Sequence, residues 1–344
     1  MILVTGGSGF FGGLLKERLL RDGHSVINVD LCVDEFKHPQ LISLQGDIRD
    51  AEFMEKNVFS THSITAVFHC AAILAHDVSD KNFLWTSNVD GTRQVAELAA
   101  KHDVRNLVFT SSNCLWGHNL GHLVREDEPP APIEIYGKSK WEGEKILREY
   151  WEKMNVVIFR CPTIVEMGRL GLLAILFEFI AEGRKTWVVG GGDNRYQFIY
   201  AGDLIEACLL ALKLDHSDLF HIGSDHVKTF REVYQHVIDH SKTKARVACL
   251  PRSMTLFAMR VAHKLGLSPL GPYQYNMIAE SFVFDTAHIK EVLGWKPTLT
   301  NEEMLLRAYQ YYFDNKSEIE GRTNASAHRR GAKMGIIRLL KWLS

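Results

Sequence analysis

An α/β fold is predicted, a doubly wound parallel sheet followed by a smaller C-terminal α+β lobe, and three observations predict it. Short apolar runs rich in branched residues alternate with segments of helical periodicity through the first half of the chain. A glycine-rich turn stands directly after the first apolar run and opens the first helical segment. Past Pro162 the alternation loosens into helices and loops of the kind that cover the edge of a sheet.

Taken in order, the strand-like runs are residues 2–4, 25–29, 41–44, 66–69, 106–110 and 156–160. Between them, residues 12–21, 50–57, 88–102 and 136–150 carry apolar side chains at helical spacing. Right-handed crossovers bring the carboxyl ends of all the strands to one edge of the sheet, so residues just after each strand become neighbours and a ligand site is expected there. Residues 170–183 read as a helix, 190–192 as a glycine-rich turn and 201–213 as a further helix, with no internal repeat.

The 344 residues are 46% hydrophobic and 24% charged, with a formal net charge of −1. That balance suits a globular chain with a sizeable core and speaks against nucleic acid as a partner, which would need a clustered cationic excess. Cys32, Cys70, Cys114, Cys161, Cys208 and Cys249 are scattered, with no Cys-x-x-Cys pair and no His/Cys spacing suited to zinc. No metal site is expected, and the cysteines read as thiols in a reducing compartment. The chain opens on an apolar strand without a charged leader, and the apolar stretch 170–180 is too short for a bilayer and contains Glu178. A cytoplasmic protein is the expectation.

Thr5-Gly6-Gly7-Ser8-Gly9-Phe10-Phe11-Gly12 lies between the first strand and first helix, where a dinucleotide fingerprint belongs. Gly6 permits the tight turn, Gly9 lets a pyrophosphate approach the backbone, and Gly12 lets the helix pack on the strand. Asp30 ends the second strand, where a carboxylate can accept both ribose hydroxyls and repel a 2′-phosphate, so NAD is favoured over NADP. Tyr136 and Lys140 stand one helical turn apart on one face, an arrangement in which an ammonium can favour the phenolate of a proton-transferring tyrosine. Ser112, just past the fifth strand, can polarise the reacting oxygen, with Ser111 as its competitor.

As a set these features resemble the extended short-chain dehydrogenase/reductases, in the epimerase/dehydratase group typified by UDP-galactose 4-epimerase, over residues 1–315. The resemblance implies a Rossmann-type domain at 1–162 with 193–223 returning to it, a substrate lobe from 163–192 and 224–315, and a basic and apolar tail at 316–344. It extends the NAD-binding set to Phe10, Phe11, Asp47, Ile48, Ala71, Ala72, Asn88 and Pro162 beside Gly6, Gly9, Gly12, Asp30, Tyr136 and Lys140. Asn88-Val89-Asp90-Gly91-Thr92 resembles the family's helix start, and Asp203 and Leu293-Gly294-Trp295 its late landmarks. A homodimer through helices 88–102 and 136–150 is implied as well.

Relatives that dehydrate or decarboxylate sugars carry an acidic residue directly after the catalytic hydroxyl. This chain has Asn113-Cys114, which leaves epimerisation through a transient ketone, or net alcohol/ketone oxidoreduction. Thr163 stands where the epimerases have Asn, the usual Arg before the Asp203 motif falls on Tyr196 with Arg195 beside it, and the late Arg is absent around 280–284. Ser112, Asn113, Thr163 and Arg195 are the expected substrate contacts, and Arg169 is a second cation available to a phosphate.

A greasy partner is suggested by residues 254–267, rich in Leu, Phe, Met and Val, and by the basic, aliphatic segment 333–344, which can touch an anionic membrane at its inner face. Residues 136–141 and 160–163 also resemble epimerases of polyprenyl-diphosphate-linked amino sugars. The reading is therefore an NAD-dependent epimerase of a sugar on a nucleotide or lipid diphosphate. A 3β-hydroxysteroid-dehydrogenase-like oxidoreductase and a catalytically silent NAD-sensing regulator are the alternatives.

Overall fold

The computed structural model describes residues 1–75, 80–267 and 271–321. The tail segment 333–344, read above as a membrane contact, lies outside them. Seven parallel strands form the main sheet, in the spatial order Asp218–His221, Asn155–Cys161, Asn106–Ser112, Ala66–His69, Ile2–Thr5, Val26–Asp30, Leu41–Gln45. In chain order the strands are β1 (Ile2–Thr5), β2 (Val26–Asp30), β3 (Leu41–Gln45), β4 (Ala66–His69), β5 (Asn106–Ser112), β6 (Asn155–Cys161), β7 (Thr163–Val165), β8 (Lys185–Val189), β9 (Phe198–Tyr200), β10 (Asp218–His221) and β11 (Arg246–Leu250). β7 pairs with β9 and β8 with β11 in two small parallel sheets. The six strands expected from the sequence fall within two residues of those found. The seventh, β10, joins the outer edge of β6.

The helices are α1 (Phe10–Arg21), α2 (Ala51–Met54), α3 (Lys81–Lys101), α4 (Ile135–Arg148), α5 (Leu173–Ala181), α6 (Ala201–Ala211), α7 (Phe230–His240), α8 (Arg252–Lys264), α9 (Pro272–Met277), α10 (Ala287–Leu293), α11 (Asn301–Asp314) and α12 (Lys316–Gly321). Helix α3 begins seven residues ahead of the expected start at 88. Asp80 is the cause, since its carboxylate accepts from the backbone N–H groups of Asn82 and Phe83 and caps the helix there. Asn88 to Thr92 are consequently mid-helix, not a helix start.

Helices cover both faces of the sheet. On one, Leu15 and Leu19 of α1 pack with Leu204 and Cys208 of α6 and with Trp295; on the other, Val95 and Ala99 of α3 pack with Ile146 and Leu147 of α4. All nine side chains lie within 2% of full burial, and the strands between them are largely apolar on both sides, as a doubly covered parallel sheet demands. A separate core, built from Phe177, Val233, Val237, Met304, Tyr309 and Tyr312, joins α5, α7 and α11. This second cluster carries the C-terminal lobe over the carboxyl ends of the strands. The sheet order reverses between β1 and β4, and a crevice opens at that switch point.

Candidate active site

The crevice is a cleft of about 420 Å³ running from Asp30 and Asp47 at one end to Tyr136, Asn113 and Tyr196 at the other. Its floor is the turn after β1. Gly6 has φ +76, and a Cβ there would lie 2.7 Å from the Ala71 backbone; a Cβ on Gly12 would meet the Gly6 carbonyl at 2.3 Å. Only glycine fits either place, and the start of α1, with Gly9, Phe10 and Phe11, lines the cleft as a result. A dinucleotide's phosphates fit such a turn.

Each Asp30 oxygen accepts one backbone N–H, from Ser8 and from Cys32, both at 2.9 Å. Burial pushes its carboxyl up, and those two donors hold it down. The lone pairs left over can receive the two hydroxyls of a ribose. Asp47 is gripped by the Arg49 guanidinium at 3.0 Å, which lowers its carboxyl, and together with Ile48 it lines the same end. Replacement of Asp30 by Ala is expected to weaken NAD by roughly 10- to 100-fold, the worth of a hydrogen-bonded charge, with NADP much less affected. Fluorescence titration with both dinucleotides measures it, and an unaltered NAD to NADP ratio would count against the assignment.

Behind Ala71 and Ala72, which line the cleft, the backbone is positioned by buried polar groups. Thr92 donates its hydroxyl proton to the Asn88 carbonyl at 2.7 Å, so it accepts from His69 Nε2 at 2.9 Å; His69 Nδ1 then accepts from Thr5 at 2.7 Å. Asn88, expected among the cofactor ligands, does not line the cleft. Its amide bonds both the N–H and the carbonyl of Ile73, at 2.7 and 3.0 Å, and Ser139 at 3.0 Å, so its capacity is consumed in fastening the loop after β4 to α4.

Burial pulls His69 down to about 3, with the Lys140 charge acting the same way. An unfolded histidine titrates at about 6.5, so between those values the unfolded chain holds the extra proton and stability falls as pH falls. His69 should account for about 2 kcal/mol of lost stability between pH 6.5 and 5. Urea denaturation of wild type and His69→Asn at pH 7 and pH 5 reads this as a narrowing gap; parallel pH slopes would refute it.

Ser112, at the last position of β5, Tyr136, in the first turn of α4, and Lys140 all face the cleft. Gly137 brings α4 down onto the turn after β5, since a Cβ there would sit 2.1 Å from the Cys114 carbonyl. Lys140 is buried with its Nζ 3.8 Å from the centre of the Phe109 ring, and burial lowers it to about 8 against the pull of Cys70 and Glu144. The phenol behaves otherwise than the Tyr-Lys spacing suggests. Burial pushes Tyr136 well up, with Cys114 and Cys161 adding to the push; hydrogen bonding to Ser112 and the Arg169 charge oppose it. The Lys140 ammonium lies over the Phe109 ring, and with burial the dominant influence the tyrosine holds its proton.

Beyond Tyr136 the wall is polar and tightly connected. Asn113 Nδ2 donates to the Tyr196 hydroxyl at 2.7 Å, and that hydroxyl lies 3.4 Å from Thr163 Oγ1 and 3.5 Å from the Tyr273 hydroxyl. Asn113, Pro162 and Thr163 thus line the cleft. Arg195 does not. It is exposed, and its guanidinium donates to the Val227 carbonyl outside the cleft, while its neighbour Tyr196 points in. The arginine that lines the cleft is Arg169, with its guanidinium 5.5 Å from the Phe10 ring centre. Tyr273 and Gln274 are further lining residues that no sequence signal marks, because α9 reaches the cleft only through the folding of the C-terminal lobe; Glu134, just ahead of α4, lines it too and accepts from the Tyr273 N–H at 2.9 Å.

Comparison with known proteins agrees with this geometry. A family model described as the NAD dependent epimerase/dehydratase family matches residues 2–223. An uncharacterized protein of Sinorhizobium fredii is 34% identical over 342 residues, covering 99% of this chain and 85% of its own. The N-acetyl-alpha-D-glucosaminyl-diphospho-ditrans,octacis-undecaprenol 4-epimerase of Escherichia coli O157:H7 is 33% identical over 218 residues, 62% of this chain and 63% of its own. Among solved structures, a UDP-glucose 4-epimerase of Thermotoga maritima with UDP-glucose superposes with a TM-score of 0.73 at 25% identity, over 92% of this chain and 99% of that one.

Proposed function

The chain belongs to the NAD-dependent epimerase/dehydratase family, an enzyme whose cofactor is NAD and whose substrate is a sugar of the nucleotide-linked or lipid-linked type, and from that premise we propose that it epimerises the sugar through a transient ketone, with Tyr136 as acid/base. The glycine turn and Asp30 hold the dinucleotide. Lys140 lines the same cleft one helical turn after Tyr136. Bound there, NAD would supply a reversible hydride acceptor and, in its oxidised form, a positive charge.

Positive charge added to the cleft favours the Tyr136 phenolate that burial alone disfavours, so the tyrosine removes a proton from the sugar hydroxyl when the cofactor is oxidised and gives it back once the ketone is reduced. The Ser112 hydroxyl holds the reacting oxygen against the phenol. Asn113, Thr163 and Tyr196 face the sugar, and Arg169 is placed to meet a phosphate of its carrier.

One observation carries the choice of epimerisation. The position directly after Ser112 is Asn113, buried and donating to Tyr196, with the Cys114 thiol next, pushed up by burial to about 11. Neither position directly after Ser112 offers a carboxyl group as the additional acid/base that elimination or decarboxylation would use, and the Glu134 carboxylate that lines the cleft accepts from the Tyr273 backbone N–H at 2.9 Å. The test is to incubate the enzyme with free UDP-sugars and with polyprenyl-diphosphate sugars and to read the sugar's configuration by NMR. Inversion at one carbon without net NADH is expected. Accumulation of NADH with a sugar would make it a net sugar dehydrogenase, NADH formed only from an apolar alcohol would favour the hydroxysteroid-dehydrogenase-like reading, and NAD binding without any conversion would make it a sensor. A homodimer through α3 and α4 belongs to the same reading, and a monomer by light scattering at micromolar concentration would remove it.

A further inference from the structure

Helix α8 is a thirteen-residue helix of which only Ala262 is buried. Its apolar side chains are nevertheless not scattered. Met254, Phe257, Val261 and Leu265 are 72%, 69%, 41% and 66% exposed, and at helical spacing they fall within an arc of ~80°, forming one stripe that faces outward. Leu267, 55% exposed, follows just beyond the helix. Such a stripe is far from solvent-compatible, and packing against the body of the protein does not explain it.

Charge indicates what covers it. From Ser241 to Ala279 the sequence contains Lys242, Lys244, Arg246, Arg252, Arg260 and Lys264 and no Asp or Glu, in a chain whose formal net charge is −1. Arg260 and Lys264, both exposed, flank the stripe along the helix. Arg252, at the helix start, reaches Glu280 at 3.6 Å and ties α8 to the segment that leaves the cleft. An apolar stripe beside a cationic edge matches a membrane surface in which acyl chains lie below anionic headgroups. No helix among the described residues is long and apolar enough to cross a membrane.

We propose that α8 is an interfacial docking helix that seats this enzyme on an anionic lipid surface. The site is well placed for it, since α9, which supplies Tyr273 and Gln274 to the cleft, follows α8 closely and touches it, with the Tyr275 ring 6.4 Å from that of His263. The lipid surface then lies next to the wall through which a sugar on a lipid diphosphate would be handled. The docking itself does not depend on the reaction proposed for Tyr136.

The test is flotation of the full-length chain with vesicles of phosphatidylcholine alone and of phosphatidylcholine mixed with phosphatidylglycerol, at low and high salt, without substrate. Binding to the anionic vesicles only, weakened by salt, is expected. Met254→Glu, Phe257→Glu and Leu265→Glu together should cut partitioning more than ~10-fold, and Lys264→Gln alone about five-fold. The exposed positions leave folding intact, which NAD titration of the variants verifies. Failure of the wild type to float, or a triple variant that floats like it, overturns the proposal; the second result would place binding elsewhere in the chain. A triple variant that instead turns a dimer into a monomer on light scattering also overturns it, because a second copy would then be the partner of the stripe.

Discussion

Tyr136→Phe will lower turnover by roughly 10²- to 10⁴-fold, the usual worth of a positioned acid/base, and will leave NAD affinity close to that of the parent. The phenol oxygen is the one group in the cleft that combines contact with Ser112, a place beside Lys140 and a proton held firmly until positive charge arrives. Phe preserves the ring and its packing, so the loss isolates the hydroxyl. Because the substitution removes an interaction made by the reacting oxygen in the transition state, kcat and kcat/KM should fall together. The pH profile provides a second readout. Activity of the parent should lose its dependence on the tyrosine's ionisation in the variant, while any dependence on Lys140, lowered by burial to about 8, should persist. A variant with parental turnover on a substrate that the parent epimerises would remove Tyr136 from the chemistry.

Glu144→Ala will cost about 3–5 kcal/mol of stability, more than any surface change in the same helix. Glu144 is fully buried on α4, and its carboxylate accepts from Arg160 Nε at 3.0 and 3.1 Å, from Arg160 Nη2 at 2.8 Å and from Ser111 at 2.5 Å. Arg160, itself 1% exposed, gives its remaining donor Nη1 to the Glu126 carbonyl at 3.1 Å and to His221 Nε2 at 3.3 Å, so His221 is neutral there and bonds the Val124 carbonyl through Nδ1. Burial and the Arg160 charge both keep that histidine's pKa far down. Removing Glu144 strands a guanidinium in the interior, and the desolvation cost of an unpaired charge decides the outcome. The contrast is Glu142 on the same helix, paired with Lys145 at 2.6 Å but with side chains 33% and 47% exposed, whose Ala variant should cost under ~0.5 kcal/mol. Urea denaturation measures both, and equal midpoints for the two variants would show that the buried pair carries no special weight. Since Ser111 precedes Ser112 and Arg160 precedes Cys161-Pro162, the same pair also steadies two edges of the cleft.

These results bear on how far the residues alone lead. The turn Thr5 to Gly12, Asp30 and the Tyr136-Lys140 spacing were legible because each is a short segment whose role follows from its place at a strand end or helix start, and strands announce themselves by runs of buried apolar residues. Arg160 was legible as part of a motif with Pro162 and Thr163, but its partner was not. Nothing local shows that Glu144 rather than Glu142 turns inward, and a helix's buried face is settled by what the sheet offers it.

The substrate end shows the same division. Arg195 and Tyr196 are adjacent in an extended segment, so their side chains leave opposite sides of the backbone and only one can enter the cleft. Which one is decided by register: Arg195 pairs with Thr229 and Tyr196 with Phe282, and a slip of one residue would exchange them. Asn88 likewise carried the right signal for the wrong contact, since its partner Ile73 is fifteen residues away and its partner Ser139 fifty-one. Fold class, cofactor turn and the proposed acid/base pair rest on periodicities and spacings shorter than a helix, and those are written in the chain. The wall of Tyr196, Tyr273 and Arg169, and the outward stripe of α8, depend on how distant segments close over the sheet, because long-range packing alone determines which face of an element meets protein, ligand or solvent.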